Sequence, residues 1–235
     1  MKTLLLAVIS IVFAKQSYSQ NPAVADILVN TFLIKTSSGQ LTAFLVEYKS
    51  EEYLVTARHG FKNSNNSSVS LMLLYDTTFI ILKGKLFLHT DSTIDIAIIK
   101  LNQKIQKMKP LEIAESITIG QECMFLGFPY GYFYSKLPKT ELPTLPFVKK
   151  AIVSALANKI TFLDGINNPG FSGGPVVIFD NITHKVKIYG VISGYYPEYN
   201  QIKDSANKKI KSLNYYFNSG IIFCYPISLI KEILP

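Results

Sequence analysis

The stretch NNPGFSGGP, Asn167 to Pro175, surrounds a single serine with three glycines and two prolines. Two readings fit it. Gly, Pro and Ser are the ordinary punctuation of a surface turn. Alternatively, Ser172 is a nucleophile on a tight turn whose backbone N–H groups face a developing oxyanion. Gly170 and Ser172 would then donate from positions two apart, and Gly170, lacking a Cβ, lets its peptide turn inward without steric cost. Glycine-rich turns are common, so the rest of the chain has to decide.

A serine hydroxyl attacks a carbonyl only when a neighbouring base takes its proton. A histidine does this best when an acid holds its tautomer. The chain has three histidines. His89 and His184 sit amid charged or polar turns, whereas His59 follows an apolar run in YLVTARHGF, where a strand ends and a loop can present the ring. Taken alone it reads as a surface histidine. Asp95 stands directly before the apolar run Ile96 to Ile99 in STIDIAIIKL. A carboxylate buried there wants a partner. A plain strand-start turn is the other reading, and Asp91 is the competing acid.

Around these residues the chain reads as short β-strands, rich in β-branched and aromatic residues. Leu28–Thr36 and Leu41–Lys49 suggest a hairpin around SSGQ, followed by EYLVTA, SVSLMLLY, TFIILKGKLFLH, DIAIIKL and QECMFLGFP. Tyr130 to Pro146 is polar, aromatic and punctuated by Pro138, Pro143 and Pro146, the composition of a long loop. A second strand series follows, VKKAIVSALA, KITFL, PVVIFDN, KVKIYGVISGYY and NSGIIFCYP. ISLIKEILP, Ile227 to Pro235, is apolar at helical spacing and predicts a short packing helix. The expected organisation is a signal peptide at 1–19, an N-terminal β unit at 20–129 with His59 and Asp95, an interdomain loop at 130–146, and a C-terminal β unit at 147–235 with Ser172. Barrels and sandwiches both satisfy the strand pattern.

Hydrophobic residues make up 48% of the chain and charged residues 17%, a composition that argues against disorder. MKTLLLAVISIVFAKQSYSQ has the basic start, apolar run and small residues of a secretory signal peptide, with cleavage expected after Ser19. Losing Lys2 and Lys15 lowers the formal charge from +8 to +6. The product is expected to be secreted or periplasmic, with no membrane anchor. The lysines are scattered rather than striped, so no nucleic-acid partner is expected. Cys123 and Cys224 lie 101 residues apart; export permits a disulfide, and the absence of a cysteine–histidine pattern argues against zinc.

VTARH, DIAIIKL and PGFSGGP together resemble the chymotrypsin-like (trypsin-like) serine peptidase family, in the family's order His, Asp, Ser. The spacings are 36 residues from His59 to Asp95 and 77 from Asp95 to Ser172. GFPYG, AIVSAL and YGVISG resemble its second-barrel segments. The likeness is greatest to the bacterial HtrA/Deg-type peptidase domain, without a PDZ domain after Pro235. The resemblance implies an all-β fold: two six-stranded β-barrels packed face to face, with a short C-terminal helix. It implies that His59 is general base and then acid, that Asp95 orients it, that Ser172 attacks the carbonyl, and that the Gly170 and Ser172 amides form the oxyanion hole. No metal or organic cofactor is implied.

Substrate contacts would come from Ile166, Ile192, Ser193, Gly194, Tyr195 and Gly220. Ile166, six before Ser172, is not acidic, so cleavage after Lys or Arg is not supported. Ile192 stands where glutamate-specific members carry histidine. A small or apolar side chain before the cut is the remaining expectation. Phe171 departs from the family, which carries aspartate or asparagine before the nucleophile. The expected product is a monomeric secreted endopeptidase acting on protein or peptide. The alternatives are an inactive peptidase-like binding protein and an envelope adhesion or structural protein.

Overall fold

The computed structural model describes residues 22–62, 68–75, 77–105, 111–133, 144–180, 183 and 185–234. The expected signal segment, residues 63–67, His184 and most of the expected interdomain loop lie outside them. The chain opens with helix α1 (Pro22–Val29) and continues through strands β1 (Thr31–Thr36), β2 (Gly39–Tyr48), β3 (Glu51–Thr56), β4 (Ser68–Tyr75), β5 (Thr78–Leu88) and β6 (Ala97–Leu101). The second series comprises β7 (Glu122–Gly127), β8 (Phe147–Ala157), β9 (Ile160–Asp164), β10 (Pro175–Asp180), β11 (Lys185–Lys203) and β12 (Lys209–Pro226). A short helix α2 (Ile230–Ile233) closes the chain, as expected from its spacing.

Helix α1 was not expected, and it takes Leu28 and Val29 from the first expected strand. Pro22 suits a helix start. Thr31 Oγ1 donates to Ile27 O at 2.7 Å and closes the helix, and Ile27 is fully buried.

The first sheet is a closed antiparallel barrel in the order β1-β2-β3-β6-β5-β4. A two-residue turn at Lys49 and Ser50, both at positive φ (50° and 63°), joins β2 to β3. Successive side chains point to opposite faces, and that alternation places the core. Ala43 and Leu45 of β2 belong to the same apolar cluster as Leu54, Leu73, Leu86 and Ile99, inside this barrel. Phe44 and Val46 belong to another, with Leu126, Val177, Ile188 and Val191 of the second sheet and Ile227 beyond it. Strands buried on both faces therefore read as near-continuous apolar runs, and the two sheets share a core.

The expectation of two six-stranded barrels is corrected in the second unit. Its ladders do follow a ring, β10-β11-β12-β9-β8-β7. A seventh segment joins that sheet, however, through a parallel bridge between Ile113 and Ile188. Strands β11 and β12 also pair with each other out to Lys203 and Lys209, while β12 pairs with β9 only over Thr161–Asp164. The unit is thus a seven-segment sheet with a long two-stranded ribbon, not a copy of the first barrel. The expected boundary moves too. Strand β7 falls inside the expected first unit, 20–129, yet pairs with β8 and β10. The change of sheet thus falls between β6 and β7.

Candidate active site

Three strand ends converge where the sheets meet. His59 lies in the 3-10 turn Arg58–Phe61 directly after β3. Asp95 lies two residues before β6, and Ser172 on the connection from β9 to β10. The Asp95 carboxylate accepts three hydrogen bonds. His59 N donates to Oδ1 at 2.8 Å, His59 Nδ1 lies 2.8 Å from Oδ2, and Ser193 Oγ donates to Oδ2 at 2.5 Å. With a carboxylate as acceptor, Nδ1 carries the proton and Nε2 is left as the basic nitrogen. The Asp95 side chain is 16% exposed and that of His59 42%, so the acid is sheltered and the base open to the cleft.

Asp91, the competing acid, is engaged elsewhere. Its Oδ1 accepts from Thr93 N at 2.9 Å and Thr93 Oγ1 at 2.7 Å, bonds that hold its carboxyl below the usual value. The loop carrying both acids is pinned from two sides. Arg58 Nη1 donates to His89 O at 2.7 Å, and Tyr225 OH donates to Thr93 O at 2.7 Å. Burial, then the charges of Asp95 and Asp91, pushes the Tyr225 hydroxyl up.

The serine turn is braced against both sheets. Gly170 and Gly173 have φ of +102° and +83°, a region that favours glycine. A Cβ on Gly170 would strike Phe128 O, and one on Gly173 would strike Thr42 O and Thr56 Oγ1. Thr42 is the hub. Its N donates to Ser172 O at 2.9 Å, its Oγ1 donates to Gly170 O at 2.6 Å, and Phe128 N donates to that Oγ1 at 3.1 Å. Tyr130 N donates to Pro169 O at 2.7 Å. A trans peptide sets its N–H opposite its carbonyl, so this bond turns the Gly170 N–H away from Tyr130. The amides of Gly170 and Ser172 donate to no acceptor among the described residues. Phe171 is fully buried and meets Phe125 edge to face at 5.1 Å. It anchors the turn to the second core by apolar packing.

Ser172 and His59 are not hydrogen-bonded to each other. Ser172 Oγ donates instead to Ser193 O at 2.8 Å. Ser193 therefore joins the two halves of the site, its hydroxyl on Asp95 and its carbonyl on Ser172. It can do so because the β11–β12 register shifts between Ile192 and Gly194. A bulge frees a residue from the ladder and re-aims it. The sequence reading placed Ser193 beside the substrate but gave no sign of its bond to Asp95. Thr42 carried no signal at all, because its partners lie far away in the chain.

The other expected contact residues separate. Ile166 is 55% exposed. Ile192 is fully buried in the second core, and its backbone bonds Gly173 N at 2.7 Å and Gly174 O at 2.9 Å. It supports the serine turn rather than lining the cleft. Gly194 has open space where a side chain would stand, Tyr195 pairs with Ile222, and Gly220 O accepts from Gly165 N at 2.9 Å. Cys123 and Cys224 are both buried and both free thiols, in one apolar cluster. Among the described residues no cluster of His, Cys, Asp or Glu could hold a metal ion. None of the described helices is long and apolar enough to cross a membrane.

Comparison with known proteins bears on the family and the fold. A family model described as a trypsin-like peptidase domain matches residues 41–181. No curated protein matches the chain. Among solved structures, a serine endoprotease from Yersinia pestis superposes with a TM-score of 0.58 at 18% identity, over 91% of this chain and 64% of that one. Rv3671c of M. tuberculosis H37Rv, in an inactive form, gives 0.57 at 15% identity, over 92% of this chain and 89% of that one. The HtrA-type protease AlgW with a tripeptide gives 0.56 at 19% identity, over 89% and 60%. The chain thus spans less than two thirds of the Yersinia pestis and AlgW chains. At these identities the likeness is one of fold.

Proposed function

Because the chain belongs to the trypsin-like peptidase domain family, we propose that it is a serine endopeptidase whose nucleophile is Ser172, base His59 and orienting acid Asp95. The observation that carries this is Ser193, which bonds the His59–Asp95 pair through its hydroxyl and Ser172 through its carbonyl. Rotation about the Ser172 Cα–Cβ bond, a step between staggered wells, would move Oγ from Ser193 O towards His59 Nε2. His59 then takes the Ser172 proton as Oγ attacks the scissile carbonyl carbon. The oxyanion is received by the Gly170 and Ser172 N–H groups. His59 returns the proton to the leaving amine, and water hydrolyses the resulting acyl ester by the same steps.

The first sheet supplies base and acid, the second the nucleophile, so the cleft between them is where a protein or peptide would lie. Ile166 supports an uncharged side chain before the cut, within the small or apolar class expected from the sequence. The leader-like first twenty residues support action outside the cytoplasm. One observation favours a non-catalytic binding protein instead, namely the engagement of the Ser172 hydroxyl with Ser193 O. A fluorophosphonate probe separates the two readings. Covalent labelling of the parent and its loss in Ser172→Ala support the peptidase; an unlabelled parent that is folded by circular dichroism refutes it.

A further inference from the structure

Lys149, on β8, stands directly opposite Phe125 of β7. Residues opposite each other in an antiparallel pair share a face, so the half-buried Lys149 side chain lies on the face where Phe125 meets Phe171. Its ammonium sits 5.3 Å from the centre of the Phe171 ring, within cation–π range. Nζ donates to Ile166 O at 2.8 Å and to Asn168 Oδ1. The neighbouring Lys150 points to the opposite face and pairs with Glu122 at 2.7 Å. Asp164, at the end of β9, is exposed. Among the described residues no carboxylate pairs with the Lys149 ammonium, and burial holds it below the usual value. A charge drawn partly out of water without a counter-ion is destabilising, and here its partners all belong to the connection that carries Ser172.

Those partners bracket a β-turn. Phe171 N donates to Asn168 O at 3.2 Å, with Pro169 second and Gly170, at φ +102°, third. These are the positions that proline and glycine favour in a type II turn. The central peptide of the turn presents the Gly170 N–H, one of the two proposed oxyanion donors. Thr42 and Tyr130 hold the turn through Gly170 O and Pro169 O. Lys149 holds its two ends, Asn168 through the carboxamide oxygen and Phe171 through the ring. A hydrogen bond from an ionised donor is roughly twice as strong as a neutral one.

We propose that Lys149 is a positioning residue for the reaction, its ammonium clamping the Asn168–Phe171 turn in the form that aims the Gly170 N–H at the oxyanion. This rests on the peptidase reading above. Lys149 acts through the turn and not on the substrate.

The test compares Lys149→Met, which keeps an unbranched stem and loses the charge, with Lys149→Arg, which keeps the charge and the donors. The phosphoryl oxygen of a fluorophosphonate takes the place of the oxyanion. The maximal labelling rate is therefore expected to fall at least about tenfold in Lys149→Met, with the half-saturating probe concentration unchanged, and to recover most of the loss in Lys149→Arg. Tm is expected to stay within about 3 °C of the parent, because Ile166 is open to water and an unpaired ammonium has been removed. A methionine variant labelled as fast as the parent overturns the clamp. So does one whose Tm falls in step with its rate, since that is loss of fold and not of aim. Hydrogen exchange in peptides spanning residues 166–174 reads the turn without chemistry, and is expected to be about tenfold faster in Lys149→Met with β7 and β10 unchanged. A folded parent that does not label overturns the peptidase reading, and exchange then decides the clamp alone. Faster exchange confined to the turn upholds it, and unchanged exchange overturns it.

Discussion

Replacing Thr42 with valine keeps a β-branched side chain of similar volume in β2 and removes one hydroxyl. That hydroxyl donates to Gly170 O and accepts from Phe128 N. Phe128 is 1% exposed, so its N–H finds no water and bears the full penalty; Gly170 is only half-buried and recovers part of its loss. At about 1–3 kcal/mol for each stranded group, the expected destabilisation is roughly 2–4 kcal/mol. For a domain of this size that lowers Tm by roughly 5–15 °C. The same loss loosens the Gly170–Phe171 peptide, which lies between the two proposed oxyanion donors, the Gly170 and Ser172 N–H groups, and the aim of such a donor is worth about 10²–10³ in kcat. Thermal unfolding followed by circular dichroism and the rate of fluorophosphonate labelling measure the two effects. Thr42→Ser, which keeps the hydroxyl, is expected to recover most of both. A valine variant with unchanged Tm and unchanged labelling rate would show that the hydroxyl does not hold the turn.

Ser193→Ala leaves the carbonyl that holds Ser172 but removes the 2.5 Å bond to Asp95. A bond to a charged acceptor is worth about 1.5–3 kcal/mol, so kcat is expected to fall at least tenfold with little change in KM; a KM effect alone would contradict the assigned role. Phe171→Ala empties a fully buried site against Phe125. It is expected to cost about 3–5 kcal/mol, read as a lower urea midpoint, and Phe171→Leu much less; equal midpoints would mean that the turn is not anchored there. Burial pushes the Cys123 thiol up from 9.0 to about 12, and Cys224 is raised as well, by burial first and then by Cys123. Between pH 9 and 12 the unfolded thiols ionise while the folded ones keep their protons, so unfolding releases protons and stability falls as pH rises. The urea midpoint is expected to decline over that window, and less steeply in Cys123→Val; identical declines would remove the thiol from the explanation.

Most strands were legible because strand burial leaves a local trace: alternating or continuous apolar runs bounded by glycine and proline turns. Helix α1, PAVADILV, escaped because its last two residues, Leu28 and Val29, run straight into β1 and read as the start of that strand. Strand β7 was recognised as a strand but assigned to the wrong unit, since pairing with β8 and β10 is a choice of partner that no local pattern encodes. The ribbon of β11 and β12 was hidden for a related reason, the expected strands being drawn short of its polar and aromatic outer half. Of the contact residues, Ile192 was misplaced because a buried isoleucine and one beside a cleft look alike in sequence.

The sequence by itself determined the chemistry on offer: one serine on a permissive turn, one histidine after an apolar strand, one aspartate before another, in that order. Only the tertiary structure decided which groups meet. Ser193 reaches Asp95 through a bulge, Thr42 reaches Gly170 from 128 residues away, and Asn167 keeps a buried oxygen without a partner among the described residues. The physical reason is range. Turn geometry and apolar periodicity are set by neighbours in the chain, whereas a hydrogen bond is set by distance in space, which only the packed sheets bring below 3 Å.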